Sequence, residues 1–365
     1  MEAEQNYLFR HALVRDAAYE LQLPRERASL HETAADVLEA VYASALQPVA
    51  HEIADHLNAS GHQLERQRRF TDMAARYALD NHNHDEVVRL YRRLIEIGEP
   101  NQQIEAHQLL YGTLRAFRND VVGAREHAFA LWRLGRREGH VAAECTALNY
   151  LAGLEEPDRA KRLLRRSFRL ARSSGAWMPA AIAIGNLGAI YREAGDLRRA
   201  RRFIGRSIQI HRRSDHPVGE GFFLCALAGI LHSEGDYEAS LVAGRRGVEI
   251  LEGLNARRYL ATAYGHLATA LDALKRFEES ESVLATAEKL ATDIQLHREL
   301  WKIQVHRALV ALERERPEQA LELWGRIRRR LTDSAQFDDL KVARSDLQKA
   351  GVRLKLLPPE AWLSE

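Results

Sequence analysis

The residues that most resemble a chemical motif are two histidines flanking a glutamate, in His51-Glu52-Ile53-Ala54-Asp55-His56. A zinc-protease helix places its two histidines four residues apart, so that both rings reach one metal ion. Here they are five residues apart. At about 100° per residue, the two rings point about 140° away from each other on a regular helix. The spacing therefore argues against a shared metal.

Two more histidines, His82 and His84, stand in Asn81-His82-Asn83-His84-Asp85. Side chains two residues apart can chelate a metal weakly, but this composition is typical of a solvated turn in which Asp85 caps the next helix. Neither a Ser-His-Asp arrangement nor Gly-x-Ser-x-Gly is present, and no paired carboxylates fall in a plausible cleft. We therefore predict no catalytic residue, no cofactor and no metal site.

Charge and cysteine content narrow the class of protein. The 365 residues include 53 basic and 51 acidic side chains, a net charge of +2, so no global field favours nucleic acid or a membrane surface. The two cysteines, Cys145 and Cys225, are too few for a disulfide framework, which favours the cytoplasm. No stretch approaches the roughly 18 apolar residues of a membrane span. We expect a chain without a membrane anchor.

A repeat of 40 residues organises the second half of the chain. Leu187-Gly188-Ala189-Ile190 aligns with Leu227-Ala228-Gly229-Ile230 and with Leu267-Ala268-Thr269-Ala270, and Gly195-Asp196 aligns with Gly235-Asp236. Apolar residues recur at helical spacing on both sides of the Gly-Asp turn. One further slot always holds a small residue: Ala200, Ser240, Ser280 and Ala320. Each unit is therefore a helical hairpin, and neighbouring hairpins must stack to cover their apolar faces.

These slots resemble the tetratricopeptide repeat, and in the best unit they are filled in order by Ile184, Leu187, Gly188, Tyr191, Ala200, Ile204 and Ser207. The resemblance implies an all-α, right-handed solenoid of tetratricopeptide-like hairpins. The family period is 34 residues, so a period of 40 implies longer second helices or longer connections. Units 181–220, 221–260 and 261–300 match well. Unit 301–334 is weaker, because Arg307 stands where Leu is expected.

The beginning of the chain reads Tyr-Leu-Phe-Arg-His-Ala-Leu-Val-Arg-Asp from Tyr7, followed by Leu23-Pro24-Arg25-Glu26-Arg27. It resembles the junction segment of MalT-like AAA/STAND signalling ATPases and related multidomain cyclases and kinases. In that family the segment follows nucleotide-binding and winged-helix domains and leads into a tetratricopeptide superhelix. No Gly-x-x-x-x-Gly-Lys-Ser/Thr occurs here. We expect a regulatory C-terminal half without its ATPase, in which Tyr7-Leu8-Phe9 is a remnant of a wing strand.

The predicted organisation has four parts: a junction segment at 1–46, irregular helices at 47–140, the regular superhelix at 141–334, and a capping helix with a tail at 335–365. In the junction, His11 and His31 are expected in a buried hydrogen-bonded network. Cys145 and Cys225 lie two periods apart and are expected in equivalent slots on separate hairpins. In the last part, an apolar stripe predicts the final helix, and Trp362 either docks back or binds a partner.

Two surfaces are candidate binding sites. The first is the concave groove that the first helices form in tetratricopeptide proteins, where the matching positions are Asn149, Arg192, His232, Thr269 and Asp272. Small residues in deeper slots, Cys145, Gly185, Cys225 and Gly265, would let a peptide approach closely or would merely permit tight helix stacking. No Lys or Arg occupies these floor slots, which disfavours a clamp for a C-terminal carboxylate.

The second surface is an arginine ridge on the second helices, comprising Arg162, Arg165, Arg166, Arg202, Arg206, Arg245 and Arg246. Three interpretations remain open for it: a solvated face, a docking surface for acidic protein, or a contact for a phosphate backbone. The absence of interleaved aromatic residues disfavours nucleic acid.

The function that these patterns favour is a non-catalytic sensor or docking superhelix that binds a protein or peptide in its groove. The resemblance implies that it is the regulatory part of a signal-transduction ATPase or a transcription regulator, with an AAA/STAND ATPase domain or another signalling domain as a possible partner. The alternatives are a helical repeat that binds nucleic acid through the arginine ridge and a homo-oligomerising scaffold.

Overall fold

The structure is a computed structural model that describes residues 19–333, 337–354, 356–357 and 362. Every regular element among these residues is helical, and the chain divides into two compact units, Met1–Thr113 and Leu114–Glu365. His11 and the predicted wing strand Tyr7-Leu8-Phe9 lie outside the described residues. None of the described helices combines the length and the apolar character that crossing a membrane requires.

The first unit contains α1 (Pro24–Val41), α2 (Ala50–Ser60), α3 (Leu64–Asp80), α4 (His84–Ile97) and the beginning of α5 (Pro100–Ala116). Its core is built from large side chains of α2 to α4, including Ile53, Phe70 and Tyr91. The cap of α4 differs from the prediction. His82 takes the left-handed conformation, with φ of 56°, and the Asn83 side chain accepts a hydrogen bond from the Glu86 amide at 3.3 Å. The turn ends two residues before Asp85, so Asn83 is the cap.

The second unit continues with α6 (Val121–Arg137), α7 (Val141–Ala152), α8 (Pro157–Ser174), α9 (Trp177–Glu193), α10 (Leu197–Arg213), α11 (Pro217–Ser233), α12 (Tyr237–Gly253), α13 (Arg257–Ala273), α14 (Phe277–Asp293), α15 (His297–Glu313), α16 (Pro317–Asp333) and α17 (Phe337–Arg353). The predicted all-α solenoid of tetratricopeptide-like hairpins is confirmed. From α9 onward every helix has 17 residues and every turn has three, where the turns are described. The period of 40 therefore comes from helix length, and the hairpins begin at 177 rather than 181.

The turns between these helices repeat one backbone conformation. A residue with positive φ recurs every twenty positions, at Gly195, Asp215, Gly235, Asn255, Lys275, Gln295 and Glu315. The next amide donates back to the preceding helix, as the Asp196 amide does to the Tyr191 carbonyl at 2.9 Å. This bond satisfies a carbonyl that the helix end would otherwise leave unpaired. The aspartates after the two glycines cap the following helices, with Asp236 accepting from the Ala239 amide at 3.1 Å.

Small residues lie where the two helices of a hairpin touch. The slot shared by Ala200, Ser240, Ser280 and Ala320 is fully buried. The Ser240 hydroxyl donates to the Ala228 carbonyl at 2.8 Å, so the buried oxygen has a partner inside its own hairpin. Both cysteines are buried and face second helices in the same way, with the Cys145 thiol 3.6 Å from the Ser167 carbonyl. Burial raises the pKa of the Cys145 thiol to about 11, which keeps it unreactive.

The fourth hairpin differs from the others at Arg307, which occupies the position of Leu187, Leu227 and Leu267. Its guanidinium lies between the carboxylates of Glu281 and Glu288 on α14, with Nε 3.1 Å from Glu281 Oε1. Since the side chain is only 18% exposed, this ion network replaces the apolar contact of the other hairpins.

The last helix, α17, packs on α15 and α16. Ala343 and Leu347 are fully buried there, whereas the side chain of Phe337 lies outside the described residues. Trp362 is also fully buried, and its ring packs edge-on against Trp324 with centroids 6.3 Å apart. Trp362 therefore docks back onto the final hairpin.

The left-handed turn positions predict opposite effects for matched substitutions. Gly235→Ala should lower the free energy of unfolding by about 1 kcal/mol, because an L-residue is strained at φ of 82°. Gln295→Gly should raise it by about 1 kcal/mol, since it relieves the same strain at an exposed residue. Urea denaturation followed by circular dichroism measures both values.

The control is Gly205→Ala in the interior of α10, where a Cβ would meet nothing within 4 Å. Alanine favours the helix there, so this change should stabilise by roughly 0.5–1 kcal/mol. A loss of stability at position 205 equal to that at position 235 would contradict the conformational explanation.

Candidate functional site

Consecutive first helices pack side by side in the second unit, α11 on α13, α13 on α15, and α15 on α17. Residues forty positions apart therefore occupy equivalent places on one face. Near the C-terminal ends of these helices, an open cleft of about 720 Å³ lies between polar side chains from all four. We call it the first-helix cleft and define it by His232 of α11, Thr269 and Asp272 of α13, His306 of α15, and Lys349 and Arg353 of α17.

Of the five predicted groove residues, the structure brings three together in this cleft: His232, Thr269 and Asp272. Asn149 is only 5% exposed, and its side-chain amide donates to the Pro179 carbonyl at 3.1 Å. That bond ties α7 to α9, so Asn149 does not face a ligand. Arg192 lies apart from the cleft and reaches across to α11, where a Cβ at Gly229 would come within 2.8 Å of its Nη1.

The small residues in the predicted groove floor have different roles. A Cβ at Gly185 would lie 2.2 Å from the Phe223 ring, so this glycine permits close packing of α9 on α11. Both cysteines face second helices rather than the groove. At Gly265 a Cβ would meet nothing within 4 Å. The stacking interpretation therefore fits Gly185 and the cysteines, and open space is found only beside Gly265 among these four positions.

The first-helix cleft contains both used and unused hydrogen-bonding groups. His306 Nε2 lies 2.6 Å from Asp272 Oδ2, and Lys275 Nζ lies 3.7 Å from Glu313, which also pairs with Arg353. Asp272 Oδ1 and His232 Nδ1 are buried without a hydrogen-bond partner among the described residues. The cleft therefore offers groups of both polarities to a ligand.

Two charged side chains at the edge of the cleft are unpaired. Lys349 and Asp346, both on α17, are exposed and form no ion pair with any residue that the structure describes. Apolar surface adjoins them, including Phe277 and Leu309. A ligand of mixed character, with donors, acceptors and some apolar surface, matches this lining.

Sequence reasoning missed His306, Lys349 and Arg353. The signal was present, since His306 lies forty residues after His266 and Lys349 lies eighty residues after Thr269. Arg307 obscures the repeat register of the fourth unit, and α17 has the sequence pattern of a terminal cap. The cleft is formed by α11, α13, α15 and α17, whereas the predicted groove residues lie on α7, α9, α11 and α13.

His266 lies on the same face, between Arg192 and His306. Burial, together with the smaller effects of the neighbouring Arg192, His306 and Lys302, lowers its pKa to about 4. The ring is therefore neutral at neutral pH, with one nitrogen able to donate a hydrogen bond and the other able to accept one. Burial also lowers the pKa of His232, and His306 adds to that effect while Asp272 opposes it.

The predicted arginine ridge divides into paired and unpaired parts. On α12, Arg245 lies 3.1 Å from Glu279 and Arg246 lies 2.7 Å from Glu249. On α8, Arg166 lies 3.5 Å from Glu144. The four remaining predicted positions have no acidic partner among the described residues: Arg162, Arg165, Arg202 and Arg206. The uncompensated charge is thus concentrated on α8 and α10.

Three histidines of the first unit, His31, His51 and His56, form hydrogen bonds with protein groups. His31 Nδ1 lies 2.8 Å from His56 Nδ1, and the Tyr19 hydroxyl lies 2.9 Å from His31 Nε2. The His31–His56 contact joins α1 to α2, but His31 is only partly buried, whereas the predicted network of His11 and His31 was a buried one. His51 Nδ1 instead lies 3.1 Å from the Pro48 carbonyl. Across the described part of the chain, no three His, Cys, Asp or Glu residues are placed to hold a metal ion.

Several solved structures share this fold. A Rap protein in complex with competence and sporulation factor has a TM-score of 0.54 at 10% identity, covering 91% of this chain and 98% of that chain. Aspartyl phosphate phosphatase F from Bacillus subtilis has a TM-score of 0.51 at 13% identity, with coverages of 93% and 92%. A STAND signal transduction ATPase with a tetratricopeptide repeat sensor, from Pyrococcus horikoshii, has a TM-score of 0.52 at 18% identity.

That ATPase matches 94% of this chain over 52% of its own length, so the chain spans about half of it. No family model matches the sequence, and no curated protein matches it by sequence. At these identities the similarity concerns the fold alone. The fold is that of a tetratricopeptide-type helical repeat.

The arrangement around His266 predicts how its titration responds to Arg192. In Arg192→Gln the pH midpoint of the His266 ring signal, measured by NMR, should move upward from about 4, since a neighbouring cation is removed. It should remain below 6.5, the ordinary pKa of histidine, because burial is the largest cause of the lowered pKa. The matched control is Arg198→Gln on the exposed face of α10, which should leave the midpoint unchanged. An unmoved midpoint in Arg192→Gln would refute the proximity of the two groups.

Proposed function

We propose that this chain is a non-catalytic docking or sensor module and that the first-helix cleft binds an extended peptide segment of a partner protein. The observation that supports this most directly is the set of unused polar groups in the cleft. Asp272 Oδ1 and His232 Nδ1 are buried without partners among the described residues, and Lys349 is unpaired at the edge. Since a buried polar atom without a partner costs free energy, a ligand that satisfies these atoms gains affinity.

A peptide matches this set of groups better than a singly charged small molecule. An extended backbone offers amide donors and carbonyl acceptors along its length, so it can form hydrogen bonds with both His232 and Asp272. The cations Lys349 and Arg353 and the anions Glu313 and Asp346 lie close together, which disfavours a ligand of one charge sign. A cavity of about 720 Å³ is in the size range of ligand-binding clefts.

A regulatory role fits both the architecture and the fold relatives. A binding event that spans α11, α13, α15 and α17 favours one relative placement of these helices over others, and a second domain can respond to that change. The ATPase from Pyrococcus horikoshii has a tetratricopeptide repeat sensor, and this chain matches about half of that protein. We infer that the chain is the sensing part of a comparable signalling protein, with its output in another domain.

A pair of threonine variants tests the cleft. Thr269 lies in the cleft, and its hydroxyl donates to the Gly265 carbonyl at 3.0 Å; Thr286, on the exposed face of α14, makes the same bond to Ser282 at 3.0 Å. Peptides are first selected on the wild-type chain from a phage-displayed random library, and their affinities are measured by fluorescence anisotropy. Thr269→Arg should fill the cleft and weaken binding by at least about tenfold, whereas Thr286→Arg should change it less than about twofold.

Circular dichroism checks that both variants remain folded, which we expect because Thr286 is exposed and Thr269 is only partly buried beside the open cleft. If the selected peptides bound Thr269→Arg as tightly as the wild type, the cleft would not be their site. A library that yielded no peptide above background would contradict the proposal as well.

A further inference from the structure

The outer faces of α8 and α10 have an unusual charge composition. The sequence of α10 contains seven arginines and no acidic residue, and α8 contains Asp158 as its only acid. The equivalent helices that follow are different, since α12, α14 and α16 have Glu238, Glu278 and Glu318 where α10 has Arg198.

Six exposed arginines form two stripes on these helices, Arg162, Arg165 and Arg169 on α8 and Arg198, Arg202 and Arg206 on α10. Residues three, four and seven or eight positions apart share one helix face. None of the six has an acidic partner among the described residues. Other arginines nearby do have one: Arg201 lies 2.8 Å from Glu234, and Arg212 lies 2.7 Å from Glu220. We call these six residues the arginine strip.

Contacts between the helices join the two stripes. The Arg206 guanidinium of α10 lies 5.9 Å from the ring centre of Phe168 on α8. Tyr191, at the end of α9, lies between Lys161 of α8 and Arg199 of α10, at 5.8 and 5.4 Å from its ring centre. Its hydroxyl also accepts a hydrogen bond from Arg165 at 3.1 Å. The aromatic rings thus support the cations from below and bring the two stripes into one surface.

In the chain without a partner, the clustered charges of the arginine strip are electrostatically unfavourable. Like charges on neighbouring turns repel each other, and Arg198 in the first turn of α10 opposes the positive end of the helix dipole. The glutamates at the same position of the three following hairpins are favourable there. An external anion would relieve both effects.

We propose that the arginine strip is a docking surface for an acidic polypeptide segment of a partner protein. Guanidinium groups bind carboxylates through paired hydrogen bonds. The stripe from Arg198 to Arg206 rises about 12 Å along α10, which matches about four residues of an extended segment. Successive arginines on a stripe are about 5–6 Å apart, close to the distance between alternate side chains of an extended strand.

Single-stranded nucleic acid fits the strip less well. Stacking of bases requires exposed aromatic faces. Tyr191 is only 9% exposed and its ring stacks on Phe203 with centroids 5.5 Å apart, and the Phe168 ring lies 5.9 Å from the Arg206 guanidinium. With a net charge of +2, the chain as a whole also provides little long-range attraction for a polyanion.

The experiment compares two triple variants with the same loss of charge. The strip variant is Arg162→Gln/Arg169→Gln/Arg202→Gln, and the control is Arg201→Gln/Arg245→Gln/Arg246→Gln, whose arginines already pair with Glu234, Glu279 and Glu249. The probes are a fluorescein-labelled peptide of alternating Glu and Ser and a labelled DNA duplex, titrated with the full chain at low salt and at physiological salt.

The wild-type chain should bind the acidic peptide. In the strip variant the affinity for the acidic peptide should fall by at least about tenfold, because three surface ion pairs with the peptide are lost. In the control variant the affinity should fall by less than about twofold. Equal losses in both triples would show that only net charge matters and would overturn the proposal. Tighter binding of the duplex than of the peptide would overturn the assignment to a polypeptide. The substituted arginines are exposed, so the thermal unfolding temperature should be nearly the same in both triple variants. If the strip triple variant does not fold, the affinity of the single variant Arg202→Gln for the acidic peptide is measured instead.

Discussion

The geometry of the three-residue turn controls the rest of this structure. It reverses the chain with one residue at positive φ and one amide bonded back to the preceding helix, as at Lys275 and Arg276, where the Arg276 amide donates to the Leu271 carbonyl at 2.9 Å. Because the turns have the same length and the helices between them have 17 residues, positions forty apart fall on the same face. A longer turn anywhere in this series would rotate the following helices and destroy the register on which the cleft depends.

This constraint also explains which parts of the repeat were visible in the sequence. Gly195-Asp196 and Gly235-Asp236 suit the turn so well that they reveal it, whereas Lys275-Arg276 and Glu315-Arg316 form the same turn without any recognisable motif. The left-handed conformation costs a non-glycine residue roughly 1–2 kcal/mol, and the packing of the hairpins on both sides tolerates that cost. The backbone conformation is therefore conserved along the chain where the residue types are not.

Other features depended on partners that are remote in sequence. Arg307 appears as a defect in an apolar slot until Glu281 and Glu288 are found beside it on another helix. The starts of the hairpins were placed four residues late, since Ala176 and Ala256 precede α9 and α13 without a side-chain cap that would mark the helix start. Likewise, Asn149 had the correct register for the groove, but its bond to Pro179 could not be read from spacing. The 40-residue period and the helical hairpins could be predicted from local sequence patterns. The roles of individual side chains could not, because they depend on contacts with residues that are remote in sequence.

The last turn of α9 lies between the arginine strip and His266 on the face formed by the first helices. Tyr191 lies beneath the arginine strip, where it contacts Lys161, Arg165 and Arg199. Its neighbour Arg192 points across to Gly229 and lowers the pKa of His266 on the first-helix face. A shift of this turn therefore changes the support of the cations on one surface and the electrostatics of the other. Coupling between two binding sites is reciprocal and requires an element that both sites contact. Tyr191 touches the arginine strip, but Arg192 lies apart from the first-helix cleft, so this turn links the strip to the neighbourhood of His266 and does not itself contact the cleft.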